Sequence, residues 1–102
     1  MSTKNLKNIT IAKFQSFLDL VQCNYISING GHEKWTRADL LRPVIFQTHE
    51  KPIPEHIVKN NLRVLGYSKN DFFDIMEDKV KVVRNGNKYT LVPVVKNNTP
   101  KK

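Results

Sequence analysis

The chain has 102 residues, which is enough for one domain and too few for two domains of ordinary size. Lys and Arg number 17 against 9 acidic residues, and the net charge of +8 favours a polyanionic partner such as nucleic acid. Cys23 is the single cysteine, which excludes an intrachain disulfide, and no apolar run reaches the length of a membrane span. The N-terminus is polar rather than signal-like, so we expect a cytoplasmic protein without membrane contact.

The first predicted element is a helix. Apolar residues recur every three or four positions from Ile11 to Val21, which indicates one buried face, and Thr10 is a suitable N-cap. From Asn24 to Asn29 the period changes to two, which predicts a half-buried strand. On this strand Ile26 and Ile28 are expected on one face, and the other face is expected to carry Tyr25, Ser27 and Asn29.

A glycine pair then predicts a tight hairpin turn. Gly30 and Gly31 accept the positive φ angles of such a turn, which leads into a second strand from His32 to Thr36. Trp35 marks the core side of this strand, together with Glu33. The opposite side is expected to carry His32, Lys34 and Thr36.

The second half of the chain predicts one more strand, two helices and a hairpin. The strand covers residues 43–49, and a helix follows from Pro54 to a stop at Gly66. Ser68 and Asp71 resemble a capping box for a short helix that ends near Met76. The hairpin joins residues 80–84 to 88–95 through Asn85-Gly86, the strongest short hairpin signal.

This order predicts an α+β fold. We expect a three-stranded antiparallel sheet with helices packed on one face, followed by a short third helix and a C-terminal β-hairpin. The predicted divisions are a polar segment over 1–8, a main domain over 9–78, a hairpin extension over 79–96 and a disordered basic tail over 97–102.

Two histidines are predicted at the same end of the sheet. Neighbouring strands are antiparallel, so the start of the second strand, at His32, lies beside the end of the third, at His49. An imidazole can accept or donate a proton near neutral pH, and Lys34 can bind phosphate. This set suits RNA cleavage in which the 2′-hydroxyl attacks the adjacent phosphorus. His32 is the expected principal catalytic residue, whereas His49 is either a second acid or base or a strand-end residue that hydrogen-bonds a loop.

Other polar features admit simpler interpretations. The basic connection from Arg37 to Arg42 is either a solvated loop or a contact for RNA phosphates or an acidic protein. His56, near the start of the second helix, is interpreted as structural. The histidine separations match no metal-ligand motif, so neither a metal site nor a cofactor is expected.

The order of elements and the residues themselves resemble the HicA family of bacterial toxins between Ile9 and Met76. The matching positions are Phe14, Leu18, Gly30, His32, Trp35, His49, Leu62, Leu65 and Gly66. The resemblance implies a double-stranded-RNA-binding-domain-like fold, mRNA cleavage and a HicB-type antitoxin that covers the active face. The family signature is Gly-Ser-His, and its catalytic histidine corresponds to His32. Gly31 stands in the place of the serine, and Asn29 stands where members tend to carry Arg or Lys.

The resulting hypothesis is a metal-independent endoribonuclease toxin of a type II toxin-antitoxin system. His32, with His49 as a possible second acid or base, would perform the chemistry. RNA contacts are expected from Gly30, Gly31, Lys34, Thr36, Arg37 and Arg42. The alternative is a module of the same fold that binds RNA or antitoxin with weak or no catalysis. A dimer within a toxin-antitoxin complex is a further expectation.

Overall fold

The computed structural model describes residues 5–95, so the predicted tail over 97–102 lies outside the described residues. The elements in chain order are α1 Ile11–Leu20, β1 Asn24–Asn29, β2 His32–Thr36, β3 Val44–Gln47, α2 Glu55–Leu65, α3 Lys69–Met76, β4 Val80–Asn85 and β5 Lys88–Pro93. Strands β1, β2 and β3 form one antiparallel sheet in that order, and β4 and β5 form a separate hairpin. The predicted α+β organisation is confirmed at this level.

The helix ends follow local chemistry. The Thr10 hydroxyl accepts a hydrogen bond from the Lys13 backbone N–H at 3.0 Å, as expected of an N-cap. Ser68 and Asp71 form the reciprocal capping box of α3. Gly66 ends α2 in the left-handed conformation with φ of 85°, which favours glycine at this position. These three predictions from the sequence are confirmed.

The helices cover one face of the sheet. Along β2, burial alternates, so that Glu33 and Trp35 are buried while His32 and Lys34 are exposed. The core contains four phenylalanine rings, and the closest pair is Phe17 and Phe72, with centroids 4.7 Å apart. Leu6 and Val82 belong to the same core cluster, which therefore extends beyond 9–78 at both ends.

Strand β1 differs from its prediction. A bulge between Tyr25 and Ser27 shifts the register, so Tyr25 pairs with Trp35 and shares the face of Ile28 instead of opposing it. β1 is also one of the two edge strands of the sheet, and none of its residues is buried. The prediction of a half-buried strand is thus wrong in two respects: Tyr25 lies on the same face as Ile28, and the strand has no buried residue.

Strand β3 is shorter than predicted, and its outer edge is capped by a side chain. It ends at Gln47, and the Thr48 backbone N–H continues the pairing by one hydrogen bond, donating to the Gly31 carbonyl at 2.8 Å. The Asn61 amide of α2 donates to the Ile45 carbonyl at 2.9 Å and accepts from the Ile45 N–H at 3.3 Å. Asn61 therefore satisfies the edge groups that a further strand would otherwise pair with.

Candidate functional site

His32 stands on the open face of the sheet, next to the glycine turn. In the register of the sheet, His32 pairs with Asn29 of β1 and with Gln47 of β3. The next row on the same face pairs Lys34 with Ser27 and Ile45. Both rows project away from the helices, since the buried residues of β2 alternate with them. The candidate site is therefore an exposed surface on a rigid strand, accessible to a large substrate.

One side chain orients the His32 ring. The amide nitrogen of Gln47 lies 3.0 Å from His32 Nε2. Within residues 5–95, the structure gives Nδ1 no hydrogen-bond partner. A glutamine amide can either donate to a ring nitrogen or accept from its N–H, so Gln47 can support either tautomer. Gln47 therefore holds the ring by one nitrogen and leaves the other for a ligand.

His49 packs over the turn that precedes His32. A Cβ atom added to Gly31 would lie 2.5 Å from His49 Cδ2, 3.0 Å from Cε1 and closer still to Nε2. Gly31 also has φ of 83°, which side chains other than glycine rarely adopt. The Thr48 hydroxyl donates to the Gly31 carbonyl at 3.1 Å and fixes the same turn. His49 and His32 thus lie at the same end of the sheet, as expected, although His49 follows β3 and is not part of it.

A buried carboxylate lies behind the site. Glu33 is 4% exposed, and its oxygens accept hydrogen bonds from Gln15 Nε2 at 2.9 and 3.0 Å and from Trp35 Nε1 at 2.8 Å. Neutral donors thus satisfy this charge, which would be costly to bury alone. Glu33 ties β2 to α1 directly beneath His32 and Lys34. The sequence predicted that Glu33 shares the face of Trp35, but nothing in it indicated that Gln15 of α1 would hydrogen-bond the Glu33 carboxylate.

The predicted RNA contacts lie at different distances from His32. Residues two apart along a strand are about 7 Å apart, so Lys34 lies one such step from His32 and Thr36 lies about 13 Å away. Gly30 is exposed at the turn with open space where a Cβ would stand. Lys34 and Gly30 therefore flank His32, whereas Thr36 lies at the far end of the strand.

Arg37 does not belong to this set. Its residue is 3% exposed, its Nε and Nη2 donate to Asp39 at 2.7 and 2.9 Å, and Nη1 donates to the Val21 carbonyl and the Tyr67 hydroxyl. The guanidinium carbon also lies 4.2 Å from the ring centroid of Tyr89 in β5. These donors are consumed inside the protein, which corrects the expectation that Arg37 contacts RNA phosphates.

The ionisation of this buried cluster follows from its contacts. Burial opposes the charged form of Arg37, but hydrogen bonds to Asp39 and Tyr67 outweigh it and raise the pKa of the guanidinium. The hydrogen bond from Arg37 lowers the pKa of Asp39. Burial raises the pKa of the Cys23 thiol to about 11. Arg37 is therefore a fixed cation that joins the β2–β3 connection to the C-terminal hairpin.

Arg42 is exposed and lies in the same connection, beyond the Thr36 end of β2. It lines a surface cavity with Arg63 of α2 and the fully exposed Leu41. The glycine turn is at the opposite end of β2, so the structure does not bring Arg42 and His32 together. His56 is exposed in the first turn of α2.

A cavity of about 310 Å³ opens beside His32, between β3 and the start of α2. Glu50 lines it, a residue that the sequence reasoning missed because nothing in the local pattern connects it to His32.

Among residues 5–95, no three His, Cys, Asp or Glu side chains are grouped so as to hold a metal ion. No helix in that part of the chain has the length and apolar character needed to cross a membrane.

Comparisons with protein-family models, with curated proteins and with solved structures find no match to this chain.

Proposed function

We propose that this protein is a metal-independent endoribonuclease that acts as the toxin of a toxin-antitoxin pair. The observation that carries the proposal is the placement of His32: an exposed imidazole beside a glycine turn, oriented by Gln47 and flanked by Lys34 in a chain of net charge +8. A base, a cation and an accessible backbone turn are the groups that 2′-hydroxyl attack on an adjacent phosphorus requires. The resemblance to HicA toxins supports the same assignment.

In this mechanism, His32 Nδ1 faces the substrate while Gln47 holds Nε2. This step needs the Gln47 amide turned over, so that its carbonyl oxygen replaces the amide nitrogen beside Nε2 and accepts from Nε2–H. Nδ1 then accepts the proton of the 2′-hydroxyl as the hydroxyl oxygen bonds to phosphorus. The bond from phosphorus to the 5′-oxygen breaks, and a second group at the turn donates a proton to the departing 5′-oxygen. His49 is the candidate for that donor because its ring packs on Gly31, the residue before His32.

Lys34 and the turn provide the charge stabilisation. The ammonium group lies one strand step from His32 on the same face, which suits contact with the phosphate that gains negative charge. We extend the proposal to a double-stranded-RNA-binding-domain-like fold and to a HicB-type antitoxin that covers this open face. Both follow from the HicA resemblance.

The test is RNA cleavage by purified His32→Ala protein, with His56→Ala as the matched control. His56 is an exposed histidine of α2 that does not line the cavity beside His32, so His56→Ala should leave cleavage unchanged. His32→Ala should reduce the rate roughly 10²- to 10⁴-fold, with activity of the wild type persisting in EDTA. Equal cleavage by the wild type and His32→Ala would refute the catalytic assignment.

A second candidate function is an RNA-binding or antitoxin-binding module of the same fold without catalysis. The observation that favours it is Gly31, which lacks the hydroxyl of the HicA signature and has His49 packed where that side chain would stand. RNA binding by the wild type with no cleavage on any RNA tested, and no effect of His32→Ala on growth arrest, would establish this function instead.

A further inference from the structure

The cavity beside His32 has the size and shape of a small-ligand site. Its volume of about 310 Å³ is at the lower end of the roughly 300–1,000 Å³ found for ligand pockets, which suits a single nucleobase. It is bounded by β3 on one side and by the start of α2 on the other. The residues that line it are His32, Ile45, Phe46, Gln47, Glu50, Pro54 and Ile57.

Apolar side chains form one part of the cavity wall, and His32, Gln47 and Glu50 contribute polar groups to the rest. Ile45, Pro54 and Ile57 provide flat hydrocarbon surfaces of the kind that hold a base by its faces. The Gln47 amide nitrogen is engaged by His32 Nε2. Within residues 5–95, no ion pair or hydrogen bond engages the Glu50 carboxylate, which is exposed at the rim.

A lone carboxylate selects among the four bases by its chemistry. An ionised carboxylate only accepts hydrogen bonds and has two oxygens that can accept side by side. On its Watson–Crick edge, guanine presents two adjacent donors, N1–H and the N2 amino group. Adenine, cytosine and uracil each present a single donor beside an acceptor on that edge, and a carboxylate would repel the acceptor.

We propose that this cavity binds a guanine base of the RNA, with the Glu50 carboxylate accepting from N1–H and N2–H. The inference rests on the proposed endoribonuclease function and specifies its substrate. The register supports it, since Ile45 of the cavity wall pairs with Lys34 and Gln47 pairs with His32. A nucleotide whose base enters the cavity therefore places its phosphate on the His32 and Lys34 side.

The binding test uses the four nucleoside 3′-monophosphates, titrated into the full chain and followed by NMR chemical shifts or calorimetry. Guanosine 3′-monophosphate should bind wild type about tenfold more tightly than the other three, in the range that a bidentate contact provides. Glu50→Gln replaces one acceptor by a donor, so it should weaken guanosine binding about tenfold and change the others less than about twofold. Glu77→Gln, a glutamate after α3 that does not line the cavity, should bind like the wild type.

The cleavage test uses RNAs that are identical except at one position. The wild type should cleave next to guanine in preference to the other bases, and Glu50→Gln should lower cleavage next to guanine to about the rate at the other bases. Equal binding of the four nucleotides, or a guanine preference that survives Glu50→Gln, would overturn the assignment of the cavity even if RNA is cleaved. Guanosine binding that depends on Glu50 in a protein that cleaves nothing would instead refute the endoribonuclease function and leave the guanine site in place.

Discussion

Substitution of the buried Arg37 distinguishes a structural cation from the exposed cations that we propose to contact RNA. Arg37→Met keeps an unbranched side chain of similar length but removes the charge and all donors. In the wild type these donors reach Asp39, the Val21 carbonyl and the Tyr67 hydroxyl, and the guanidinium packs on Tyr89. The substitution therefore strips the β2–β3 connection of its attachments to the end of α1 and to β5.

The expected loss of stability can be worked out contact by contact. Leaving the buried Val21 carbonyl without a donor costs about 1–3 kcal/mol, and the cation–π contact with Tyr89 contributes about 0.5–2 kcal/mol. The Asp39 side chain is 28% exposed and regains water, so its pairing adds at most about 1 kcal/mol. We expect Arg37→Met to lower the free energy of unfolding by about 3 kcal/mol, a large share of the roughly 5–15 kcal/mol of a whole domain.

Urea denaturation at pH 7 measures this loss, with Arg42→Met as the matched control. Arg42 is exposed, so its substitution should change stability by less than about 0.5 kcal/mol. RNA affinity, measured where both proteins are folded, should fall for Arg42→Met and remain unchanged for Arg37→Met. A destabilisation below about 1 kcal/mol for Arg37→Met, or a specific loss of its RNA affinity, would refute the structural role.

The same ion pair gives the wild type a pH dependence that Arg37→Met should lack. Because the hydrogen bond from Arg37 lowers the pKa of Asp39 below its usual 3.8, the folded state binds fewer protons than the unfolded chain in this range. The stabilisation is fully present above about pH 4 and is lost as the pH falls through the lowered pKa. The difference in stability between the wild type and Arg37→Met should therefore shrink below about pH 4.

Two further predictions concern the glycine turn and the thiol. Gly31→Ser should lower the free energy of unfolding by about 2 kcal/mol, because φ of 83° is unfavourable for serine and the serine Cβ would overlap the His49 ring. In urea denaturation, adding His49→Ala should recover the part of this loss that is due to the overlap. If the losses of the two single variants simply add, the contact between Gly31 and His49 is contradicted. Burial raises the pKa of the Cys23 thiol to about 11, so the folded protein should resist alkylation by iodoacetamide at about pH 8, whereas the unfolded protein should react. Equal alkylation rates for the folded and the unfolded protein would show that the thiol is accessible.

The sequence predicted best those features that short-range chemistry determines. Thr10, the Ser68 and Asp71 pair and Gly66 act on backbone groups within four residues, so their effects can be read from spacing alone. The facing of β2 was also predictable, because Trp35 and the period of two leave one arrangement that buries the indole.

The misassigned features depend on contacts between distant segments. The bulge in β1 reverses the facing of Tyr25, and alternation alone gives no sign of an inserted residue. Arg37 occurs in a basic stretch that looks solvated, but Val21, Tyr67 and Tyr89 converge on it from three other segments. Glu50 joins His32 in one cavity because the chain turns back after β3.

The contact between Gly31 and His49 also bears on the proposed catalysis, because the HicA signature that this turn resembles has serine in place of Gly31. The space in which the signature's serine side chain would begin is filled by the His49 ring, with Nε2 its nearest atom. The Thr48 hydroxyl cannot substitute, since it donates to the Gly31 carbonyl. The His49 ring thus fills the space that a serine side chain at position 31 would need, and only glycine at that position leaves room for it. In place of the serine hydroxyl, the imidazole provides a nitrogen that can donate a hydrogen bond to phosphate. Gly31 is therefore compatible with the proposed mechanism, in which His49 supplies the proton donor at the turn.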